Sequence, residues 1–292
     1  MSGKDIHVAL AFDERFWPAA FATIRSVCLT SRRRKDLVFH LCYPGLSEEA
    51  KVYFDKITDE CGAKIMHHDI EKNDTYQHFA QTLPHTKYIS AVTYARMVFD
   101  RIISSDVQRL IYLDCDILVR APIEELSATD LEGHPIGAVK DAHALRFSNG
   151  TDVASDWDLL DPADPYFNAG ILVIDLAAWR KMDMVEQLLL LEKEGKMPRL
   201  INDQQILNHL YKNNWKQLDA RWNMFAPNRA IETLDPKIVH YTGPNKPWNL
   251  INGLPFARVY RHVMTNELFY SYLRMRWARY WVGVGKKLIG RG

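Results

Sequence analysis

The chain is poor in the features that mark the specialised classes of protein. Its four cysteines, Cys28, Cys42, Cys61 and Cys115, are scattered singly with no C-x-x-C pair. That excludes a disulfide-stapled scaffold and a zinc ribbon and points to a reducing, cytoplasmic setting. No stretch approaches about 18 uncharged apolar residues, and the opening MSGKD runs straight into a short apolar segment, so neither a membrane span nor a signal peptide is expected. Charge of either sign is not in excess: 37 Lys and Arg stand against 36 Asp and Glu, a net +1, so no global field draws the chain to nucleic acid. Repeats, low-complexity tracts and Pro/Gly/Ser-rich linkers are also missing. What remains, 292 residues of which 47% are hydrophobic and 25% charged, is the composition of a chain that buries a core.

Apolar patterning supplies the organisation. Residues 6–12 (IHVALAF), 37–43 (LVFHLCY), 63–70, 109–119 (RLIYLDCDILV), 135–140 and 169–175 read as buried strands. Helical spacing is found over 17–29, 92–103, 177–191, 203–211 and 267–279, and Ser47 followed by Glu48 and Glu49 caps another helix. Strands alternating with helices predict an α/β fold.

Chemistry concentrates in Asp114-Cys115-Asp116, set inside the most apolar strand segment. Carboxylates buried there need compensating donors or a bound cation. In a strand, residues i and i+2 share a face, so both carboxylates converge on one ion while Cys115 turns away. Oxygen ligands of this kind suit Mn²⁺ or Mg²⁺ shared with a phosphate. Two strand-end aspartates bonded to backbone or arginine is the competing reading. About 120 residues on, His240 ends a short apolar run and is followed by Gly243-Pro244 and Lys246-Pro247. An imidazole completes a Mn²⁺ shell, Gly243 lets backbone approach a phosphate and Lys246 offers it a point charge; a hydrogen-bonded structural histidine is the alternative.

Six segments in order, VALAF-Asp13, TYAR (93–96), YLDCDILV (112–119), YFNAG (166–170), NDQQILN (202–208) and HYTGPNKPW (240–248), resemble glycosyltransferase family 8, and within it the bacterial lipopolysaccharide galactosyl- and glucosyltransferases. The resemblance implies a GT-A fold over residues 1–250: a Rossmann-like nucleotide-binding domain with a mixed central sheet flanked by helices. A C-terminal helical extension, 251–292, follows. It also implies a retaining, Mn²⁺-dependent hexosyltransferase that moves galactose or glucose from a UDP-sugar to a lipopolysaccharide core or related glycan or glycolipid hydroxyl. By the same resemblance Asp114, Asp116 and His240 are the metal ligands. Ala11, Phe12 and Asp13 border the uridine, and Cys115 lies with the two aspartates. Gly243 and Lys246 contact the β-phosphate, while Arg96, Asp141, Asn168, Ala169 and Asp203 surround the donor sugar. Gln204 matches the residue beside the anomeric carbon. Arg15 stands where relatives often carry asparagine.

The residue types fit that chemistry independently. Cleaving a sugar–phosphate bond puts negative charge on the leaving diphosphate, which a metal and Lys246 neutralise. An amide at Gln204 is a weak nucleophile, which favours front-face attack by the acceptor hydroxyl, with Asp203 the fallback nucleophile. A sugar-nucleotide pyrophosphorylase is the rival enzyme, but residues 12–22 lack the Gly-rich basic loop such an enzyme uses. A catalytically inactive glycan- or membrane-binding relative is the rival of another class. Acceptor contacts are expected in the loops 73–86 and 142–164. Residues 274–292 carry six cations (Arg274, Arg276, Arg279, Lys286, Lys287, Arg291), no acid, and Trp277, Tyr280 and Trp281. That pattern suits an anionic membrane surface, placing the enzyme peripherally at the inner face of the plasma membrane with no nucleic-acid partner.

Overall fold

The strands and helices alternate as the pattern predicts, and the order in which the strands pair decides where a site can form. The computed structural model describes residues 5–83, 91–141, 158–161, 163–200 and 202–289, with side chains as far as 285. Lys286, Lys287 and Arg291 of the basic tail, and most of the expected acceptor loop 142–164, lie outside what is described at side-chain level. Ten strands are found among these residues: β1 (Ile6–Ala11), β2 (Leu37–Tyr43), β3 (Lys64–Asp69), β4 (Arg109–Leu113), β5 (Ile117–Val119), β6 (Ile136–Lys140), β7 (Phe167–Asp175), β8 (Lys216–Gln217), β9 (Met224–Phe225) and β10 (Ile238–His240). Seven form one sheet in the order β3-β2-β1-β4-β7-β6-β8, and β5, β10 and β9 form a second, small sheet.

β1 pairs in parallel with β2 and β4, and β2 with β3. β7 runs antiparallel between β4 and β6, so the sheet is mixed. Every residue of β2 and nearly all of β1 and β7 are covered on both faces, which suits strands of unbroken apolar sequence. Alternate side chains serve two core layers. Val8, Leu10, Ile111, Leu113, Ile171 and Val173 face one layer; Ala9, Ala11, Leu110, Tyr112, Leu172 and Ile174 face the other. The helices Trp17–Thr30 and Glu48–Cys61 close the first layer, and Asp203–Tyr211 with the pair Leu176–Met182 and Met184–Lys193 closes the second.

Four expectations are corrected. The apolar run 109–119 is two strands in different sheets, because Asp114, Cys115 and Asp116 carry the chain from β4 across to β5. Apolarity continues through the break since both halves are buried, so composition alone does not reveal it. The helix 177–191 is two helices hinged at Asp183, whose φ of 47° ends one while its carboxylate caps the next by accepting from the Glu186 N–H. Residues 92–103 form a 3₁₀ run, Ala91–Val98, before one α-helical turn, Phe99–Ile102. The last helix, Asn266–Ile289, runs ten residues past its expected end. No described helix is long and apolar enough to cross a membrane.

Candidate active site

A cleft of about 1780 Å³ opens at the carboxyl ends of β1 and β4, where open α/β sheets hold their ligands. Its walls include Ala11, Phe12, Asp13, Asp114, Cys115, Asp116, Gly243 and Lys246, all singled out by sequence. The β4–β5 break places the two aspartates. The Asp114 N–H donates to the Gly170 carbonyl at 2.8 Å and the Tyr241 N–H to the Asp116 carbonyl at 2.9 Å, fixing the turn to β7 and to the residue after β10. From the helix below, the Thr23 hydroxyl lies 2.8 Å from the Cys115 carbonyl and 3.0 Å from that of Ile117. The Cys115 thiol turns away toward the Ala11 carbonyl, as the spacing requires.

Three ligating atoms converge there. One atom each from Asp114, Asp116 and His240 lie within 4.8 Å of one another. His240 Nε2 is 3.2 Å from Asp116 Oδ1 and 3.6 Å from Asp114 Oδ2. Two carboxylates and an imidazole in this arrangement fit a divalent first-row cation. Lys246 donates to Asp116 Oδ2 at 2.5 Å and to the Tyr241 carbonyl at 2.7 Å. Burial opposes the charge on Asp116, yet His240 and Lys246 hold its carboxyl below the usual carboxylate range. Gly243 sits at φ +84°, the left-handed conformation that the turn into Lys246 demands.

Behind this wall lies a second tier. Arg96 is buried to 2% exposure, not on a helix surface. Its guanidinium donates to Asp114 Oδ1 (3.0 Å), the Tyr112 hydroxyl (2.6 Å) and the Ala169 carbonyl (2.7 Å), and pairs with Asp203 at 3.1 Å. Burial works against its charge, but Asp203, Tyr112 and Asp114 more than offset this and raise its pKa. Asp203, in the first turn of its helix, is buried as well, and that burial raises its pKa against the pull of Arg96. Asn208 locks this helix to β7, its amide accepting from the Phe167 N–H at 2.8 Å and donating to the Phe167 carbonyl at 2.9 Å. Gln204 is thereby brought against Ala169, whose N–H donates to Gln204 Oε1 at 3.0 Å, and Gln204 Nε2 donates to Asp141 Oδ2 at 3.2 Å. Asn168 also donates to Asp141 Oδ2, at 3.2 Å.

Several sequence-singled residues differ from simple expectation. The Phe12 ring packs into the core against Tyr43 and Phe54, so the residue meets the cleft through its backbone. Asp13 is engaged by Arg15, whose Nε and Nη2 donate to Asp13 Oδ2 at 3.0 and 2.6 Å and whose N–H donates to Oδ1 at 2.9 Å. Among the described residues, Arg96, Asp203 and Gln204 stand behind the cleft wall and do not line it.

Residues 7–252 match the family model of glycosyl transferase family 8. The chain belongs to glycosyltransferase family 8. It is 26% identical over 280 residues to general stress protein A of Bacillus subtilis, covering 89% of this chain and 93% of that one. With the lipopolysaccharide 1,3-galactosyltransferase of Salmonella typhimurium it shares 25% over 273 residues, covering 89% and 78%. Its fold is that of LgtC: an active-site mutant of that protein superposes with a TM-score of 0.72 at 23% identity, over 88% of this chain and 95% of LgtC. The chain is therefore a glycosyltransferase with the mixed α/β, GT-A architecture, and its Asp114–Asp116–His240 cluster is a possible metal site.

Sequence reasoning passes over two residues of this family 8 site. Gly170, on β7, has no room for a side chain: a Cβ there would lie 2.2 Å from His240 Cε1 and 2.8 Å from Asp114 Oδ2. Its presence in YFNAG was a usable signal. Asn223, 1% exposed, accepts from His240 Nδ1 at 2.9 Å and donates to Asn168 Oδ1 at 2.8 Å, and its surroundings in RWNMF carry no signal at all.

Proposed function

We propose that residues 1–250 form a GT-A domain that transfers a hexose, with retention, from UDP-galactose or UDP-glucose to a hydroxyl of a lipopolysaccharide core or related glycan or glycolipid, with Mn²⁺ or Mg²⁺ as cofactor. The observation that carries this reading is the convergence of Asp114, Asp116 and His240 beside Lys246 at the carboxyl ends of β1 and β4. The cluster would hold the cation, which supplies charge neutralisation to the departing diphosphate. Lys246 leaves Asp116 to meet the β-phosphate, beside the backbone of Gly243. Asp13 and the backbone of Ala11 and Phe12 border the uridine, with Arg15 ready to exchange Asp13 for the nucleotide.

Arg96, Asp141, Asn168, Ala169 and Asp203 shape the donor-sugar end. Asp203 is a poor nucleophile here because Arg96 holds its carboxylate, and the Gln204 amide is spent on Ala169 and Asp141. Front-face attack by the acceptor hydroxyl needs neither as a covalent partner. The helix Asn266–Ile289 supports an acceptor presented at a lipid surface. Arg276, Trp277, Arg279, Tyr280 and Trp281 edge the same cleft, with the three aromatic rings 61–65% exposed. An anionic inner-leaflet surface bound through 274–292 would then meet the cleft mouth.

The test is release of UDP from a panel of UDP-hexoses with Mn²⁺ or with EDTA, for the wild type and Asp116→Ala. Metal-dependent release from one hexose, abolished in a folded Asp116→Ala, is the expected result. No release from any donor, together with no calorimetric binding of UDP, would mark an inactive relative and overturn the reading.

A further inference from the structure

We infer that Asn223 is a positioning residue that fixes which nitrogen of His240 faces Asp114 and Asp116. The inference rests on the proposed use of that cluster for a divalent cation, and its argument is the direction of a buried hydrogen-bond chain. Asp141 Oδ2 can only accept, so Asn168 must turn its Nδ2 toward it, at 3.2 Å. Asn168 Oδ1 consequently faces the other way, an orientation the Gly170 N–H also enforces by donating to it at 3.0 Å. Asn223 must then present Nδ2 to Asn168 Oδ1, at 2.8 Å, and its own Oδ1 to the imidazole, at 2.9 Å. An oxygen there accepts, so Nδ1 keeps its proton and Nε2 is the nitrogen turned to the two carboxylates, where it pairs with Asp116 Oδ1 at 3.2 Å and would give its lone pair to a bound cation.

The chain has one polarity from end to end, set by a carboxylate and a backbone N–H. Gln204 is fixed by the same anchor, because its Nε2 also donates to Asp141 Oδ2 at 3.2 Å while its Oε1 accepts from the Ala169 N–H. The ligand histidine and the amide beside the donor sugar are thus aligned by one group of atoms. Asn223, Asn168, Asp141 and His240 are all less than a tenth exposed, so bulk water does not compete for the chain.

The experiment compares wild type, Asn223→Ala and Asn223→Asp. Long-range ¹H–¹⁵N spectra of the Zn²⁺-loaded proteins read which His240 nitrogen keeps its proton, assigned by difference against His240→Gln, and Mn²⁺ titration by electron paramagnetic resonance reads affinity. Wild type should show His240 protonated on Nδ1 alone. Asn223→Ala should show mixed tautomers and a Mn²⁺ dissociation constant raised about 10–100-fold. Asn223→Asp keeps the acceptor toward Nδ1 but gives up the donor toward Asn168 Oδ1, so it should retain the Nδ1 proton and lose clearly less affinity than Asn223→Ala, a split that a purely structural role would not produce. Asn223→Ser repeats the test if the alanine variant does not fold. A single Nδ1–H tautomer and unchanged affinity in Asn223→Ala would overturn the proposal. Failure of the wild type to bind Mn²⁺ or Zn²⁺ would overturn the metal reading and this proposal with it, whereas binding that is unchanged in Asn223→Ala would overturn the positioning role alone.

Discussion

Replacing Gly170 with alanine tests the geometry of the ligand cluster with a single methyl group. The added Cβ would stand 2.2 Å from His240 Cε1, where carbon atoms pack at roughly 3.5–4.0 Å. The ring therefore has to retreat by more than about 1 Å, and it cannot swing freely because Nδ1 is held by Asn223 and Asp114 Oδ2 lies 2.8 Å from the same methyl. Overpacking of this kind costs about 1–3 kcal/mol, or roughly 2–5 °C in melting temperature for a chain this long. Displacing one ligand by an ångström should weaken Mn²⁺ binding and metal-dependent UDP release by about 100-fold or more. Gly137→Ala is the control. Its Cβ would meet Leu131 Cδ2 at 2.8 Å and Leu218 Cδ2 at 3.1 Å, flexible side-chain ends remote from the cluster. It should lower the melting temperature by a comparable or smaller amount and leave Mn²⁺ affinity unchanged. Equal metal affinity in Gly170→Ala and wild type, or equal loss in the two variants, would refute the argument that Gly170 makes room for His240.

Two further outcomes follow from other parts of the molecule. His40 is stacked between His7 and His68, with ring nitrogens 3.0 Å apart on each side, and burial, then the neighbouring His68 and His7, push its pKa down to about 3. Its neutral form belongs to the folded state while the unfolded chain takes up a proton near pH 6.5. Stability is thus complete above about pH 6.5 and falls as pH drops toward 3, by up to about 3 kcal/mol at pH 4. Urea denaturation of His40→Leu between pH 7 and 4 should show a shallower loss than wild type, and parallel curves would exclude His40 as the source. Removing 274–292 deletes six cations and should reduce co-sedimentation with anionic vesicles at least about tenfold; equal sedimentation of the two forms would remove the membrane role from this segment.

Legibility followed the range over which the physics acts. The buried strands were readable because unbroken apolar runs such as LVFHLCY have few other homes, and Asn202 and Asp203 announced their helix, the Asn202 side chain accepting from the Gln205 N–H. The cluster was half readable: Asp114 and Asp116 share a segment, but only the fold brings His240 to them. The β4–β5 break was hidden because three residues suffice to change sheets without a loss of apolarity. Asp183 falls inside the helical spacing of 177–191, and its left-handed φ is a property of how the two flanking helices pack. Arg96 was legible as a site residue but not in its environment, since only tertiary structure shows a guanidinium that bridges Asp114 and Asp203 with 2% exposure. Asn223 contributes one hydrogen bond in each direction, a role with no composition or period to betray it.

The placement of β5 between an early and a late part of the chain carries a consequence for synthesis. β5 has β10 as its partner in the small sheet, and β10 lies more than a hundred residues downstream. At roughly 5–20 residues per second on the ribosome, that separation is on the order of 6–25 s. Throughout that interval β1, β2, β3 and β4 can already be paired, while Ile117–Val119 emerges as an apolar strand whose edge toward β10 is unpaired. Asp116 meanwhile waits for His240 and Lys246, the groups that hold its charge. Nascent chains halted before residue 240 should therefore be the forms that chaperones and proteases engage, and arrival of that one short strand closes the edge and completes the cluster together.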